Sequence, residues 1–373
     1  MRPRHAYAFG FIDTWARLGS AVPGLANLFT QLPGTRALAK LAAGVAQDAP
    51  IPPFAPETFR TWFARRGASV EREKKVVLWA DTFNDHFYPD TAKAAVEVLE
   101  KAGFEVIVPA ARMCCGRPLY DFGLLDTAKT YLENVLAGMK PHLDAGLPIV
   151  VLEPSCASVF KDELHNLFPD RADAARLRER TMLLSEVLVK EAKDFVLPQL
   201  ARKAIVQGHC HHKSLLDFES EKTVLSKMGL DAEALEAGCC GMAGAFGFVS
   251  ETRETGKAVG ERELLPRVRS EEERTFVIAN GFSCREQIAQ HTPRRALHLA
   301  EVIKIAIDHG PGGVAAGTPE AGIKRRRARE IRTSMKRAGL ALGAAALAVA
   351  SAALIVGVRR KKRSMFARLL GGL

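Results

Sequence analysis

The chain has 373 residues, 47% hydrophobic and 25% charged, the balance of a globular fold with room for two domains or one duplicated domain. Its net charge of +11 is unevenly placed: residues 324–373 hold 14 Lys or Arg against the single acid Glu330, leaving a near-neutral body of 39 basic and 41 acidic residues. A neutral body argues against nucleic acid as a partner, a basic tail points to a membrane, and an odd seven cysteines with vicinal pairs argue against a disulfide scaffold and for a reducing compartment.

Residues 1–73 read as an N-terminal helical segment and linker. Asp13 and Arg17 interrupt any signal-peptide apolar region, and breaks at Pro23-Gly24 and Pro33-Gly34 divide residues 1–49 into two or three short helices. Ile51 to Pro56 is an extended connector. A first module, 74–200, begins with a buried strand at Lys74–Ala80, a helix at Asp90–Ala102 stopped by Gly103, and a strand at Phe104–Val108 leading to Cys114-Cys115-Gly116. A helix over Asp126–Met139 and a strand over Leu147–Leu152 then lead to Cys156. A second module, 201–310, repeats the grammar: strand Ala204–Gln207 ending at Cys210, helix Glu221–Met228, a strand-like run before Cys239-Cys240-Gly241, and strand Thr275–Ala279 just before Cys284. Strand, helix, strand at this spacing is a βαβ unit. The predicted class is therefore α/β, a duplicated βαβ-type cysteine-rich module with parallel sheets, N-terminal short helices and a C-terminal hydrophobic helix.

All seven cysteines follow strand ends, where open α/β sheets place their ligands. In the second module Cys210, Cys239, Cys240 and Cys284 supply the four thiolates a [4Fe-4S] cluster needs. The first has only Cys114, Cys115 and Cys156, with Asp81 and Thr82 where Cys210 would correspond, a second and incomplete metal site. His209, beside Cys210, is a weaker candidate ligand, since imidazole and thiolate together suit zinc. His209, His211 and His212 read otherwise as cluster neighbours or surface groups, and Arg117 and Arg285 as cations offsetting thiolate charge or as solvated side chains.

Beyond the modules, 311–337 is a basic linker, 338–358 a transmembrane helix and 359–373 a basic tail. Ala338–Val358 is 21 residues without charge, about 31 Å of helix against a hydrocarbon core of about 30 Å. The alternative is an Ala-rich helix lying on the body or on the bilayer. Basic clusters on both sides leave the orientation open; reducing conditions for thiolates favour the cytoplasmic side, with a C-terminal single-pass anchor.

The runs Leu78–Phe83, Cys114–Gly123, Glu153–Cys156, Gly208–Lys213 and Gly238–Gly244 make residues 74–303 resemble the CCG cysteine-rich domain of heterodisulfide reductase B subunits and glycolate oxidase iron-sulfur subunits. The likeness is strongest to the C-terminal part of bacterial fusions of an FAD-linked oxidase with an Fe-S oxidoreductase. The resemblance implies an iron-sulfur electron-transfer subunit of a flavin-dependent oxidoreductase acting on a 2-hydroxy acid of the lactate or glycolate type, or on glycerol 3-phosphate. Its partners would be an FAD-containing dehydrogenase subunit and a membrane quinone pool. The family motif ends in Cys-x-x-Cys, whereas Val159 and Gln287 stand here, which favours an ordinary four-thiolate cluster. No flavin-binding region is recognised, so the chain reads as the Fe-S component rather than a complete dehydrogenase. A heterodisulfide-type thiol-disulfide reductase and a zinc-stabilised scaffold are the alternatives.

Overall fold

The computed structural model describes residues 2–67 and 71–370, with side chains as far as Ala348. Two all-parallel sheets carry the architecture. The first has strands β1 (Lys75–Trp79), β2 (Glu105–Ile107), β3 (Ile149–Val151) and β4 (Thr181–Leu183) in the order β2-β1-β3-β4. The second has β5 (Lys203–Val206), β6 (Asp231–Ala234) and β7 (Phe276–Ile278) in the order β6-β5-β7. The first three strands of each set thus have the same topology, as the duplicated motif predicts.

The repeat extends further than the cysteines announce. Leu297 forms an isolated parallel bridge with Ile278, occupying beside β7 the place that β4 holds beside β3. Each of these outer segments enters a helix by the same device: Glu186 accepts the Leu183 amide at 2.9 Å, and Glu301 accepts the His298 amide at 2.9 Å. Three residues of strand leave too short a run for alternation to register, so neither outer segment is visible in the hydrophobic pattern.

Side chains alternate across each sheet, as a period of two requires. Val76 and Leu78 from β1, Val150 from β3, Ala204 and Val206 from β5, and Phe276 and Ile278 from β7 all enter one buried core, together with Leu99 and Val302 from covering helices. The opposite face of the first sheet, Val77, Trp79, Ile149 and Val151, packs against Leu132, Leu136 and Phe160; that of the second, Ile205 and Val277, packs with Cys240 and Cys284. The modules therefore share a central core, and each keeps a private one on its outer face.

Four helices form the N-terminal segment: α1 (Arg4–Gly10), α2 (Ile12–Ala21), α3 (Pro23–Gln31) and α4 (Pro33–Ala43). Pro23 and Pro33 are the first helical residues of α3 and α4, where a missing amide costs nothing. The Pro-Gly pairs consequently start helices as well as separating them. Asn27 ties this layer to the connector, donating to Phe54 O at 2.9 Å and accepting the Phe54 amide at 2.8 Å.

At the other end, the basic stretch expected as a linker is helical from Ala321 and continues as a single helix to Leu370. Its first turns are bound to the body. Arg294 pairs with Glu320 at 2.8 Å, Arg326 with Asp90 at 2.8 Å, and Arg327 lies 3.8 Å over the Tyr88 ring. A Cβ on Gly24 of α3 would meet Ser334 O at 2.7 Å, so the C-terminal helix lies directly on α3. Helix is present across the expected span 338–358, but among the described residues no helix is long and apolar enough to cross a membrane. The span's second half, 349–358, lies outside the residues whose side chains are described.

Candidate metal centre

In both sheets the chain order turns at the first strand, so a crevice opens between β1 and β3 and between β5 and β7 at their carboxyl ends. The cysteines arrive there by equivalent routes. In the second module Cys210 begins a short helix after β5, Cys239 and Cys240 follow β6, and Cys284 lies in the first turn of the Phe282–His291 helix after β7. The Cys239 thiol is influenced by those of Cys210 and Cys240, and the Cys240 thiol by that of Cys284. Four thiols from three strand ends thus lie at one edge of the second sheet. None is in a disulfide; Cys210 is exposed and Cys240 and Cys284 are buried.

This arrangement concentrates negative charge. The influence of Cys210 and Cys240, aided by the Gly241 amide donating to Cys239 Sγ at 3.4 Å, pushes the Cys239 thiol far below the usual range. The same influences, together with burial, push Cys210 and Cys240 up. A cation entering the group would displace thiol protons. Among the described residues no three His, Cys, Asp or Glu side chains are grouped closely enough to hold a metal ion. Four cysteines are a donor set that would suit an iron-sulfur cluster once brought together.

The first module assembles a smaller group. Cys115 and Cys156 Sγ are 3.0 Å apart, and Thr82 Oγ1 is 3.6 Å from Cys114 Sγ. With Asp81, Trp79 and Arg117 they line a cavity of about 40 Å³. Asp81 is already engaged: it caps the Thr82–His86 helix, accepting the Phe83 and Asn84 amides at 3.0 Å and the Asn84 side chain at 2.8 Å. Asp81 is therefore a helix cap, the counterpart of His209, with Thr82 at the place of Cys210, and burial raises the Asp81 pKa.

His209, the weaker candidate ligand, is also a cap. Its Nδ1 accepts the His211 amide at 3.2 Å, and its Nε2 lies 3.5 Å from Ser155 Oγ in the other module. Burial and then His211 push its pKa down to about 3, so the ring is neutral. Neither of the two arginines is a solvated side chain: each has partners in the fold, and Arg117 also lines the cavity of the first thiol group. Arg117 pairs with Glu163 and with Asp121, the latter at 3.0 Å. Arg285 is buried between the modules, donating to Thr91 Oγ1 at 2.9 Å and Asn84 Oδ1 at 3.2 Å with its guanidinium 5.4 Å from the Tyr88 ring. Gln287, at the position of the family's last cysteine, donates to Gly256 O at 3.0 Å.

Glu153 is a site residue that carries no signal of its own in the sequence. It follows β3, accepts the Ser155 amide at 3.2 Å and, across the module boundary, the Phe282 amide at 2.7 Å. It therefore holds the helix of Cys156 and the helix of Cys284 with one carboxyl group. Burial, then the nearby Asp81, push its pKa up to about 7 from 4.5. A pKa raised on folding favours the protonated fold, so this stability is complete below about pH 4.5 and declines as pH rises through about 7. Between about pH 5 and pH 8 the unfolding free energy of Glu153→Ala should therefore rise more steeply, or fall less, than that of the parent chain, the buried histidines being common to both; equal slopes would rule Glu153 out as the source of the difference.

Two parallel sheets with paired cysteines converging at their switch points define a duplicated thiol module of the kind that holds redox clusters. The chain belongs to the CCG cysteine-rich domain family, whose model matches residues 80–161. It is 31% identical over 246 residues to lactate utilization protein A of Geobacillus kaustophilus, covering 61% of this chain and 98% of that protein. It is 25% identical over 309 residues to a subunit of the anaerobic glycerol-3-phosphate dehydrogenase of Escherichia coli, the match spanning 81% of this chain and 76% of that protein. A D-2-hydroxyglutarate dehydrogenase of Pseudomonas putida is 26% identical over 237 residues, which span 63% of this chain but 22% of that longer protein.

Proposed function

We propose that the chain is the iron-sulfur electron-transfer component of a flavin-dependent dehydrogenase that oxidises a 2-hydroxy acid or glycerol 3-phosphate. The observation that carries this reading is the placing of Cys210, Cys239, Cys240 and Cys284 at one edge of the second sheet. Relatives named for lactate utilization and for glycerol-3-phosphate and D-2-hydroxyglutarate dehydrogenases support the donor class. Those four residues would hold one [4Fe-4S] cluster, which when bound supplies a one-electron acceptor and donor. The Gly241 amide at the Cys239 sulfur would tune the potential of such a centre, and burial of Cys240 and Cys284 would shield its inner side, with Cys210 exposed at the edge.

Removing a hydride from an alcohol carbon requires an organic acceptor such as a flavin. The chain therefore works with an FAD-containing dehydrogenase subunit and passes electrons towards a membrane quinone. The exposed Leu340, Leu342 and Leu347 at the start of the apolar run, followed by Arg359–Arg363, support attachment through the C-terminal helix to the cytoplasmic side of a membrane.

The test is direct. Anaerobically reconstituted chain should be brown, contain iron and sulfide, and be reduced by dithionite, yet reduce no dye when lactate, glycolate or glycerol 3-phosphate is supplied without a flavoprotein. Colourless protein that takes up zinc in place of iron, or dye reduction by the flavin-free chain, would refute the proposal.

A further inference from the structure

We propose that the four N-terminal helices form a docking face for an anionic lipid bilayer, separate from any attachment made by the C-terminal helix. The proposal needs neither the cluster nor the electron donor of the preceding reading.

Apolar side chains stand exposed along this layer at helical spacing. Trp15 and Leu18 of α2 are 50% and 59% exposed, Leu25 and Phe29 of α3 37% and 50%, and Leu38 and Leu41 of α4 62% and 57%. Spacings of three or four residues put each pair on one face of its helix. An exposed apolar residue standing alone means little, but three successive helices presenting such pairs is the pattern of an interaction surface. Trp15, Leu18, Phe29 and Leu38 line one open apolar bowl of about 1420 Å³. On its far side the same bowl is lined by Phe83, Ser155 and Phe282, next to the two thiol groups.

Charge and position favour a bilayer over a protein as the occupant. Residues 2–44 carry Arg2, Arg4, Arg17 and Arg36 against the one acid Asp13, Lys40 being buried and donating to Gln47 O. Asp13 is buried and paired with Arg17 at 2.7 Å. Amphipathic helices with Trp, Phe and Leu on one side and Lys or Arg around them settle at the headgroup boundary of anionic membranes. The apolar run of the C-terminal helix starts at this layer: a Cβ on Gly24 would come within 2.8 Å of Ala338 Cβ, and beyond it Leu340, Leu342 and Leu347 are exposed at 76%, 52% and 71%. The two apolar surfaces are thus continuous, and the bowl would open from the bilayer towards the thiol sites.

The test uses the full-length chain carrying Trp62→Phe, so that emission comes from Trp15 and from Trp79, which is 1% exposed and shielded. On phosphatidylglycerol-phosphatidylcholine vesicles, Trp15 emission should shift to the blue, brominated acyl chains should quench it by about twofold or more, and aqueous iodide should lose access to it, as for side chains seated about 5–10 Å deep. Trp15→Phe should remove the signal. Leu18→Ser with Leu38→Ser, both at exposed positions that spare the core, should weaken the quenching. Vesicle-bound protein whose Trp15 stays open to iodide and untouched by bromolipid would overturn the proposal, because attachment by the C-terminal helix alone, or a protein partner on this face, leaves that result. Failure of the full chain to bind the vesicles would overturn it too.

Discussion

Replacing Cys240 with serine is expected to remove the iron of the second module, about four atoms per chain for a tetra-iron cluster, while replacing Cys114 leaves it in place. Cys240 is the central choice because it is buried and its thiol is influenced by both Cys239 and Cys284. Its loss takes one ligand and also the link between the β6 and β7 contributions. A serine hydroxyl is a hard, weakly acidic donor and a poor substitute for a thiolate. Cys114 belongs to the group around Thr82 and Cys115 at the other switch point. Iron and sulfide analysis with visible absorption after anaerobic reconstitution measures both variants, and far-ultraviolet dichroism confirms that each is folded. Equal loss from the two changes would mean one site shared by both modules. A graded series is also expected: Cys210, exposed at the edge, should cost less iron than Cys240 or Cys284 when replaced.

The parallel sheets were legible because they are apolar runs bounded by turn residues. Lys75–Trp79, Glu105–Ile107, Ile149–Val151 and Phe276–Ile278 lie inside the strands read from sequence, Lys203–Val206 is shifted by one residue from Ala204–Gln207, and the long helices at Pro89–Lys101 and Leu125–Asp144 hold the expected Asp90–Ala102 and Asp126–Met139 with shifts at their ends. The convergence of cysteines followed from their place after those strands. What was not legible depended on tertiary partners. The segment at β4 and its counterpart at Leu297 are three residues and one, defined by pairing rather than by pattern. Glu153 looked like an ordinary acid in a Glu-Pro-Ser-Cys run, and its bond to Phe282, 129 positions away, has no local signature. The same holds for Arg285, whose proximity to Cys284 suggested charge compensation while its guanidinium reaches Thr91 and Asn84.

These cross-module contacts explain why the two halves form one body. Glu153 connects the β3 and β7 ends, Arg285 reaches from the β7 end to the two helices after β1, and His298 Nε2 lies 3.1 Å from Leu152 O just past β3. Burial, then Arg285, push His298 down to about 3, so it bonds as a neutral ring. Buried polar groups of this kind are costly when left unpaired. They therefore hold the two switch points in a fixed relation, with the shared apolar core behind them.

The two Cys-Cys-Gly glycines look alike in sequence, yet Gly241→Ala is expected to be far more damaging than Gly116→Ala. Both adopt left-handed backbone, with φ of +88° and +73°, where a side chain costs about 1–2 kcal/mol. For Gly116 that strain is most of the effect, since an added Cβ would find its nearest neighbour, Tyr131 Cβ, at an ordinary 3.5 Å. At Gly241 the Cβ would fall 1.9 Å from Gly256 O and 3.1 Å from Gly260 N. Those are backbone atoms of the Arg253–Glu261 helix, which cannot rotate aside, and Gln287 holds the same Gly256 carbonyl from behind. The pair Gly256 and Gly260 weakens that helix by about 1 kcal/mol each relative to alanine, a cost offset by letting the cysteine turn lie directly on it. Gly241→Ala must therefore push Cys239 and Cys240 away from Cys210 and Cys284, and should destabilise the chain by more than about 4 kcal/mol, in the range reserved for backbone clashes and broken cores. Gly116→Ala should cost about 1–2 kcal/mol. Urea unfolding of both variants gives the comparison, and iron content after reconstitution gives a second readout, lost in Gly241→Ala and retained in Gly116→Ala. Equal destabilisation with iron retained in both would show that the turn and the helix separate freely, and that the thiol group of the second module does not depend on their contact.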